Sequence, residues 1–441
     1  MAKMEDKYES YVEPLLSERP HPYITMFLNA AKRTEFGVQD DYNDRSQVRD
    51  GAFVYRHASK NGIRQSSARQ MLLPQMKESN NLHVLTNAQV EKLNIEDDGK
   101  IKSVQVQYGD EVFHVRARYE VILSAGAYAT PQLLLLSGIG PKQHLQEHNI
   151  DVVRDLPGVG EHLQDHFQTY MKIRVGSGSS WFPRGISPLQ LLPGFVDWIA
   201  SGKGIFETSG VGFGYFGASE KTFQDTPDLQ IHSLMTAGDD DLLRTFLNTR
   251  KDVFDSEIGK ASDYSDFFTE GFLATCANLH PRALGTVRLG DDDGHRKPKI
   301  TYNAFENKDD LNAILSCIRR FQVMLKSWND NAMNNEEIPA VKLLAHRSLE
   351  RELGQDTDEY WIEYIRQFSG VIYHPTGTCR MGQDDDDMAV VNSKLQVFGL
   401  KNLRVADASI MPEITSGNTN VPSAAIGLKA AELLINEYGS L

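Results

Sequence analysis

Apolar and polar residues alternate along the chain with two periods, and the shorter period predicts strands. Residues Ile101–Tyr108 alternate with a period of two, as the side chains of a half-buried strand do. Residues 82–92 predict a strand that runs into a second one, and the Asp-Asp-Gly sequence at 97–99 is a hairpin-turn signal before the next strand. Residues 121–127 are a short apolar run closing in Gly-Ala, which is typical of a buried strand.

The longer period predicts helices. Residues 22–33 predict one near the start, and residues 311–328 place apolar positions on one face with charges on the other. Residues 421–439 predict a strong helix, and Pro422 is tolerated in its first turn because no backbone N–H is needed there. Residues 176–217 are rich in Gly, Ser, Pro and aromatic residues, which indicates a change of domain.

Composition narrows the class of protein. The 441 residues include 46 Lys and Arg against 60 Asp and Glu, which gives a formal charge of −14, and 40% of them are hydrophobic. Such a chain lacks the excess of cations that nucleic acid or an anionic membrane attracts, so neither is expected as a partner. The apolar content argues against global disorder. Cys276, Cys317 and Cys379 are too few and too widely spaced for a disulfide framework.

Neither export nor membrane insertion is predicted. The first residues, MAKMEDKYES, carry charges where a signal peptide has its apolar stretch. Residues 121–140 are the most apolar stretch, but polar residues interrupt them before the ~20 apolar residues of a membrane span are reached. We expect a soluble chain without a membrane span, and the compartment stays open.

Three motifs resemble catalytic or binding signatures by chance. Residues 212–217 match G-x-G-x-x-G, but a dinucleotide fingerprint needs a helix next, and a Gly-rich loop is the better interpretation. His144 and His148 match the H-x-x-E-H signature of zinc proteases, although polar residues on a surface helix explain it better. His162 and His166 are a second pair four residues apart, for which structural hydrogen bonds are the better explanation.

Two segments near the end of the chain favour catalysis. His374 is followed by Pro375 and Gly377, so it lies in a turn that can present its imidazole to a cleft. An imidazole with a pKa near ~6.5 can accept a proton at neutral pH, although a structural histidine is an equally good explanation. Residues 416–420 lead into the last helix, whose positive end can hold developing negative charge, and an N-cap explains this segment equally well.

Six segments follow one another along the chain: NLHVLTNAQV, GAYATPQLLLLSGIG at residues 126–140, LPGVGEHLQDH, YHPTGTCRMG, NLRVADASIMP and SGNTNVPSAAIGLKAAELL. In sequence and order they resemble the motifs of the glucose–methanol–choline (GMC) flavin oxidoreductases, in the branch of choline dehydrogenases and insect glucose-dehydrogenase-like proteins. GAYATPQLLLLSGIG matches the second signature of that family. The resemblance extends over residues 51–434.

The resemblance implies an α/β fold, FAD as cofactor and oxidation of an alcohol as the activity. We expect a three-layer FAD-binding domain built from residues 1–173 and 368–441. Residues 174–367 are expected to form a substrate domain, with a largely antiparallel sheet covered by helices. The substrate is expected to be choline-like or sugar-like, and the electron acceptor stays open.

The resemblance also implies roles for single residues. His374 matches the base that takes the hydroxyl proton of the alcohol, and Asn418 matches the second active-site position, where it can donate a hydrogen bond to the alkoxide. Val90 matches a backbone contact to the adenine of FAD. The remaining cofactor-binding positions, in segments that contact the ribityl–pyrophosphate and the flavin, are Gly126, Asp407, Thr419 and Asn420. No metal ligand is expected.

One departure from the family pattern raises an alternative. Members of the family begin with a strand–glycine-loop–helix unit that cradles the FAD pyrophosphate, and residue 1 of this chain corresponds to a later point in the pattern. We therefore expect an incomplete FAD-binding domain. A fragment or a shortened, non-catalytic relative with a binding role is the alternative to an active enzyme.

Overall fold

A computed structural model describes most of the chain. The described residues are 13–14, 21–44, 50–60, 62–176, 188–202, 210–220, 223, 225–235, 271–291 and 297–439. Its helices are α1 (Pro22–Lys32), α2 (Leu73–Glu78), α3 (Gly126–Leu136), α4 (Lys142–Glu147), α5 (Pro188–Ser201), α6 (Lys308–Asn334), α7 (Arg347–Leu353), α8 (Asp358–Phe368) and α9 (Asn420–Tyr438). None of these helices is long and apolar enough to cross a bilayer.

The strands include several of only two or three residues. They are β1 (Glu13–Pro14), β2 (Gly51–Val54), β3 (Arg56–His57), β4 (Ser59–Lys60), β5 (Ile63–Arg64), β6 (Ala88–Ile95), β7 (Ile101–Tyr108), β8 (Glu111–Val115), β9 (Val121–Leu123), β10 (Ile139–Gly140), β11 (Arg154–Asp155), β12 (Phe167–Val175), β13 (Val211–Gly217), β14 (Leu229–Leu234), β15 (Gly271–Asn278), β16 (Thr286–Arg288), β17 (Lys299–Thr301), β18 (Val341–Leu343), β19 (Ser369–Val371) and β20 (Leu403–Val405). Short turns of other helix types occupy Ala68–Leu72 and Ala408–Ile410.

The chain folds into two compact units, and the first contains a large antiparallel sheet. This unit comprises the described residues within Met1–Lys77, Phe167–Leu279 and Lys308–Gly370. Its strands lie in the order β18-β12-β15-β14-β13-β2, with each pair antiparallel. Helices α1 and α6 cover one face, where the ring of Phe27 stacks on Phe213. Burial of these rings supplies the hydrophobic stabilisation of this layer.

The three glycines at residues 212–217 lie inside strand β13, and the predicted glycine-rich loop is therefore wrong. A Cβ atom on Gly214 would meet the ring of Tyr55 at 2.5 Å, so the glycine makes room for an aromatic side chain. The motif reflects close packing against rings. It is not the strand-to-helix turn that a dinucleotide fingerprint requires.

The second unit combines a small antiparallel sheet with a parallel strand pair. It comprises Glu78–His166, His280–Asn307 and Val371–Leu441, where described. Strands β6, β7 and β8 form a meander, and β9 pairs in parallel with β20 through Val121 and Leu403. Helices α3 and α9 belong to the same unit as this parallel pair. The carboxyl ends of the two parallel strands therefore meet at one edge, the place where open α/β sheets bind ligands.

A buried ion pair ties this parallel pair together. The Arg404 side chain on β20 is fully buried and donates to both carboxylate oxygens of Glu120, at 2.5 and 2.9 Å. A second carboxylate, that of Glu437 near the end of α9, also contacts the guanidinium. Because both partners are desolvated, removal of either one would leave an uncompensated buried charge.

Several predicted elements are confirmed. Helix α1 covers the predicted residues 22–33 to within one residue, and the predicted hairpin at 97–99 joins β6 to β7. The predicted last helix is α9. The domain boundaries at residues 173 and 368 stay a prediction.

Candidate active site

His374 lies in a turn of the second unit whose backbone is fixed on both sides. The preceding residue, Tyr373, has a positive φ of 61° and a side chain that is 61% exposed, whereas His374 itself is buried. After the turn, Thr376 exchanges two backbone hydrogen bonds with Gln164, at 2.9 and 3.1 Å. Gly377 has a φ of 87°, and a Cβ atom there would meet the carbonyl oxygen of His162 at 2.4 Å. The turn is therefore held in one conformation.

The structure brings His374 and Asn418 together. The side-chain amide nitrogen Nδ2 of Asn418 lies 3.2 Å from Nε2 of the imidazole. Burial lowers the pKa of His374 from 6.5 to about 4. The imidazole is therefore neutral at pH 7 and can accept a proton.

A second histidine contacts the other nitrogen of the same ring. The Nδ1 atoms of His166 and His374 lie 2.9 Å apart, with the two rings nearly perpendicular. His166 is fully buried, and its Nε2 lies 3.1 Å from the carbonyl oxygen of Thr415. His166 thus connects the turn of His374 with the loop that carries Asn418.

Asp165 also contacts His374, through the backbone. Its Oδ1 accepts the backbone N–H of His374 at 2.8 Å, and its Oδ2 accepts the hydroxyl of Tyr302 at 3.3 Å. The hydroxyl of Tyr302 is in close contact with that of Tyr128. Burial raises the pKa of the Asp165 carboxyl from 3.8 to about 7, although these hydrogen bonds oppose the increase. The carboxyl therefore titrates near neutral pH.

Asp407 and Gly126 meet at the carboxyl ends of the parallel strands. The Oδ2 atom of Asp407 accepts the backbone N–H of Gly126 at 2.8 Å and the hydroxyl of Thr130 at 2.6 Å. Its Oδ1 accepts the backbone N–H of Ser409 at 2.8 Å. Gly126 has a φ of 86° and no heavy atom within 4 Å of the position of a Cβ. The start of α3 therefore borders open space.

The start of α9 borders the same kind of space. Asn418 and Asn420 are exposed, Thr419 is buried, and Gly417 has no heavy atom within 4 Å of a Cβ position. Helix α9 begins at Asn420, so its unpaired backbone N–H groups and positive dipole end lie at this point. Val90 lies in the hairpin β6–β7 opposite Val106, with its side chain 36% exposed.

The histidines of the zinc-like motif have other partners. The Nε2 atom of His144 accepts the backbone N–H of Leu289 at 3.1 Å, and Nδ1 of His148 lies 3.0 Å from the carbonyl oxygen of His144. Within the part of the chain that the structure describes, no three His, Cys, Asp or Glu side chains converge as metal ligands would.

Two family models match the sequence. The N-terminal GMC oxidoreductase model matches residues 14–168 and the C-terminal model matches residues 281–427. The oxygen-dependent choline dehydrogenase of Brucella ovis is 32% identical over 427 residues, covering 95% of this chain and 69% of the relative. This chain belongs to the GMC oxidoreductase family. The corresponding protein of Sinorhizobium fredii is 31% identical over 445 residues, covering 98% of this chain and 72% of the relative.

Solved structures of the GMC fold resemble this oxidoreductase. A formate oxidase superposes with a TM-score of 0.80 at 22% identity, covering 96% of this chain and 72% of its own. Pyridoxine 4-oxidase from Mesorbium loti gives a TM-score of 0.71 at 20% identity, covering 97% of this chain and 71% of its own. The predicted α/β fold with an antiparallel sheet and covering helices is confirmed.

Membership in the GMC family identifies the cofactor of this chain. The chain is an FAD-dependent oxidoreductase, as its family models and choline dehydrogenase relatives indicate. Its residues fit the cofactor, since Gly126 leaves open space at the sheet edge and Gly417 leaves open space before α9, which presents its positive end there. A bulky anionic group has room and favourable charge at the start of α9.

Proposed function

We propose that this GMC oxidoreductase oxidises the CH–OH group of a small alcohol, with His374 as the base that takes the hydroxyl proton. The observation that carries the proposal is the contact between the buried imidazole Nε2 of His374 and the side-chain amide of Asn418. A base and a hydrogen-bond donor side by side are what removal of a hydroxyl proton requires.

The neutral state of His374 suits a base. Its pKa of about 4 keeps the imidazole unprotonated throughout the neutral range. A proton that arrives from the alcohol makes an imidazolium beside an alkoxide, and the two opposite charges stabilise each other in a buried site. The fixed turn at Tyr373 and Gly377 holds the ring in place, so little reorganisation accompanies the transfer.

Asn418 stabilises the oxygen that loses its proton. Its amide can donate one hydrogen bond to the alkoxide oxygen, and a donor aimed at developing charge is worth about 3 kcal/mol. The residue sits in the loop that enters α9, and the positive end of that helix adds to the favourable potential. Asn418 thus orients the alcohol and favours its ionised form.

The cofactor site is proposed at the sheet edge and the adjoining hairpin. Gly126, Asp407, Thr419 and Asn420 would hold FAD there, and Val90 would contact its adenine. When bound, FAD supplies the acceptor for the hydride that leaves the alcohol carbon. Asp407 holds the start of α3 in position through Gly126, whose backbone would then border the cofactor.

The alcohol itself is proposed to be choline-like or sugar-like. Choline is the first alcohol to test, because the relatives at 31% and 32% identity are choline dehydrogenases. The exposed ring of Tyr373 beside the base offers one aromatic face to a quaternary ammonium group.

The test is alcohol-dependent loss of oxidised-flavin absorbance by the full chain incubated with FAD and desalted. We expect the parent to retain flavin and to lose its absorbance with choline or another small alcohol in a panel. The His374→Gln variant should retain flavin and lose the reaction. A chain that binds flavin yet reacts with no alcohol would favour the non-catalytic alternative.

A further inference from the structure

Two histidines and two polar groups form a continuous chain of hydrogen bonds in the second unit. It runs from the carbonyl oxygen of Thr415 to Nε2 of His166, at 3.1 Å, and from Nδ1 of His166 to Nδ1 of His374, at 2.9 Å. It ends at Nδ2 of Asn418, which lies 3.2 Å from Nε2 of His374. The two ends of this chain are polar atoms with a fixed hydrogen-bonding role, an accepting carbonyl oxygen and a donating amide nitrogen, and they determine the positions of the protons.

The proton on His166 is fixed by Thr415. A carbonyl oxygen only accepts hydrogen bonds, so Nε2 of His166 carries a proton and donates it. The ring is fully buried, and a charged imidazolium would be costly there. The neutral ring has one N–H, which is already assigned to Nε2, and Nδ1 is therefore an acceptor.

The proton on His374 follows from both ends of the chain. Since Nδ1 of His166 accepts, Nδ1 of His374 must donate to it. At the other end, the amide nitrogen of Asn418 only donates, so Nε2 of His374 must accept. The two constraints are independent, and they give the same tautomer.

We infer that His166 is a positioning residue that holds the proton of His374 on Nδ1 and thereby leaves Nε2 as the free base beside Asn418. The tautomer follows from the hydrogen bonds alone, and its catalytic consequence rests on the proposed function. The opposite tautomer would set two lone pairs against each other at the Nδ1 contact and two donors against each other at Asn418. Both contacts would be lost in a buried site.

The carboxylate of Asp165, the residue before His166, does not orient the imidazole of His374. Asp165 accepts the backbone N–H of His374 and the hydroxyl of Tyr302, so it positions the turn and leaves the imidazole to His166. A further histidine contacts the same loop, since Nε2 of His280 lies 2.8 Å from the hydroxyl of Ser416. The group that orients the base is thus a neutral imidazole.

The direct test is NMR of the full chain with ¹⁵N-labelled histidine, which distinguishes a protonated from a bare ring nitrogen without FAD or substrate. The signals of His374 are assigned by their loss in His374→Gln. We expect Nδ1–H and bare Nε2 at His374, with Nε2–H at His166. A proton on Nε2 of His374 in the parent would overturn the inference, whatever the enzyme oxidises.

Two substitutions of His166 separate its hydrogen bond from its shape. His166→Phe keeps a ring without an acceptor and should move the His374 proton toward Nε2. His166→Asn keeps an acceptor near the position of Nδ1 and should retain Nδ1–H. An unchanged His374 tautomer in the Phe variant would contradict the role, and if that variant does not fold, the parent and Asn spectra still decide.

The same pair of variants has a kinetic readout in the FAD-loaded chain. Loss of the correct tautomer should lower kcat roughly 100-fold in His166→Phe with little change in KM, because the ground-state contacts of the alcohol remain. His166→Asn should recover most of this loss. Equal rates in the two variants would show that His166 acts through packing alone.

Discussion

Asn418 and His374 are separated by 44 residues in sequence, yet the amide of the first lies 3.2 Å from the imidazole of the second. The contact joins a rigid turn to the loop that enters α9. Its geometry depends on fixed backbone, since the turn is held by Asp165 and by the hydrogen bonds of Gln164. A pair positioned in this way can act on one ligand atom without a large rearrangement.

His374→Gln should lower turnover by about 10²–10⁴-fold, the usual contribution of a general base. The flavin content should not change, because the side chain is proposed to contact the alcohol. Steady-state rates with the best alcohol and flavin absorbance after desalting measure both effects. His114→Gln, an exposed histidine on β8, is the matched control and should keep the parental rate.

Asn418→Ala should slow the reaction about 10²-fold, since it removes one donor from the developing alkoxide. Asn418→His restores a donor and should recover part of the rate. Rapid-mixing kinetics of flavin reduction isolate this step. A parental rate in Asn418→Ala would rule out the orienting role of the amide.

The opposite pKa shifts of Asp165 and His374 predict opposite effects on stability. The pKa of Asp165 is raised to about 7, so the folded state binds this proton more tightly and stability from this group is lost as pH rises from about 4 to 7. The pKa of His374 is lowered to about 4, so its contribution has the other sign and grows as pH rises from about 4 to 6.5. The two contributions, roughly 4 and 3 kcal/mol at most, largely cancel in the parent.

Single substitutions should reveal each contribution. Relative to the parent, Asp165→Asn should gain stability as pH rises from 4 to 7, and His374→Gln should lose it between pH 4 and 6.5. Urea unfolding at several pH values measures the difference in the free energy of unfolding. Parallel pH curves for all three proteins would contradict the assigned shifts.

Asp407→Ala should destabilise the second unit by about 2–4 kcal/mol, because it leaves the buried donors of Gly126, Thr130 and Ser409 without their acceptor. It should also weaken FAD binding, since Gly126 is held in place by this carboxylate. Thr130→Val removes one of these donors and should have a smaller effect on both. Urea unfolding and flavin titration provide the two measurements.

Local periodicity predicted the elements that depend on local sequence. Helix α1 and strand β7 form as their patterns predict, and each buries one face. Helix α9 also forms as predicted, although Ala430 is the one residue of this helix that is buried. The glycines of β13 do not form the predicted loop. Their role is tertiary, because the ring of Tyr55 occupies the space beside Gly214 and that of Tyr215 the space beside Gly217.

The candidate site was predicted in part. His374 and Asn418 followed from two unusual segments and the family resemblance, and the structure places them in contact. The sequence predicts structural hydrogen bonds for His166 and no role for Asp165, although both residues contact His374. His162 has a φ of 64°, so the segment that contains the pair His162 and His166 is not a helix there. Contacts over 208 residues, such as that of His166 with His374, leave no local signal.

The most direct test of the proposed chemistry is anaerobic mixing of the FAD-loaded chain with choline and a panel of small alcohols, followed at the oxidised-flavin absorbance. We predict loss of this absorbance in the parent with at least one alcohol, and a rate at least about 10²-fold lower in flavin-loaded His374→Gln. Equal rates in the two proteins would contradict the central role of His374.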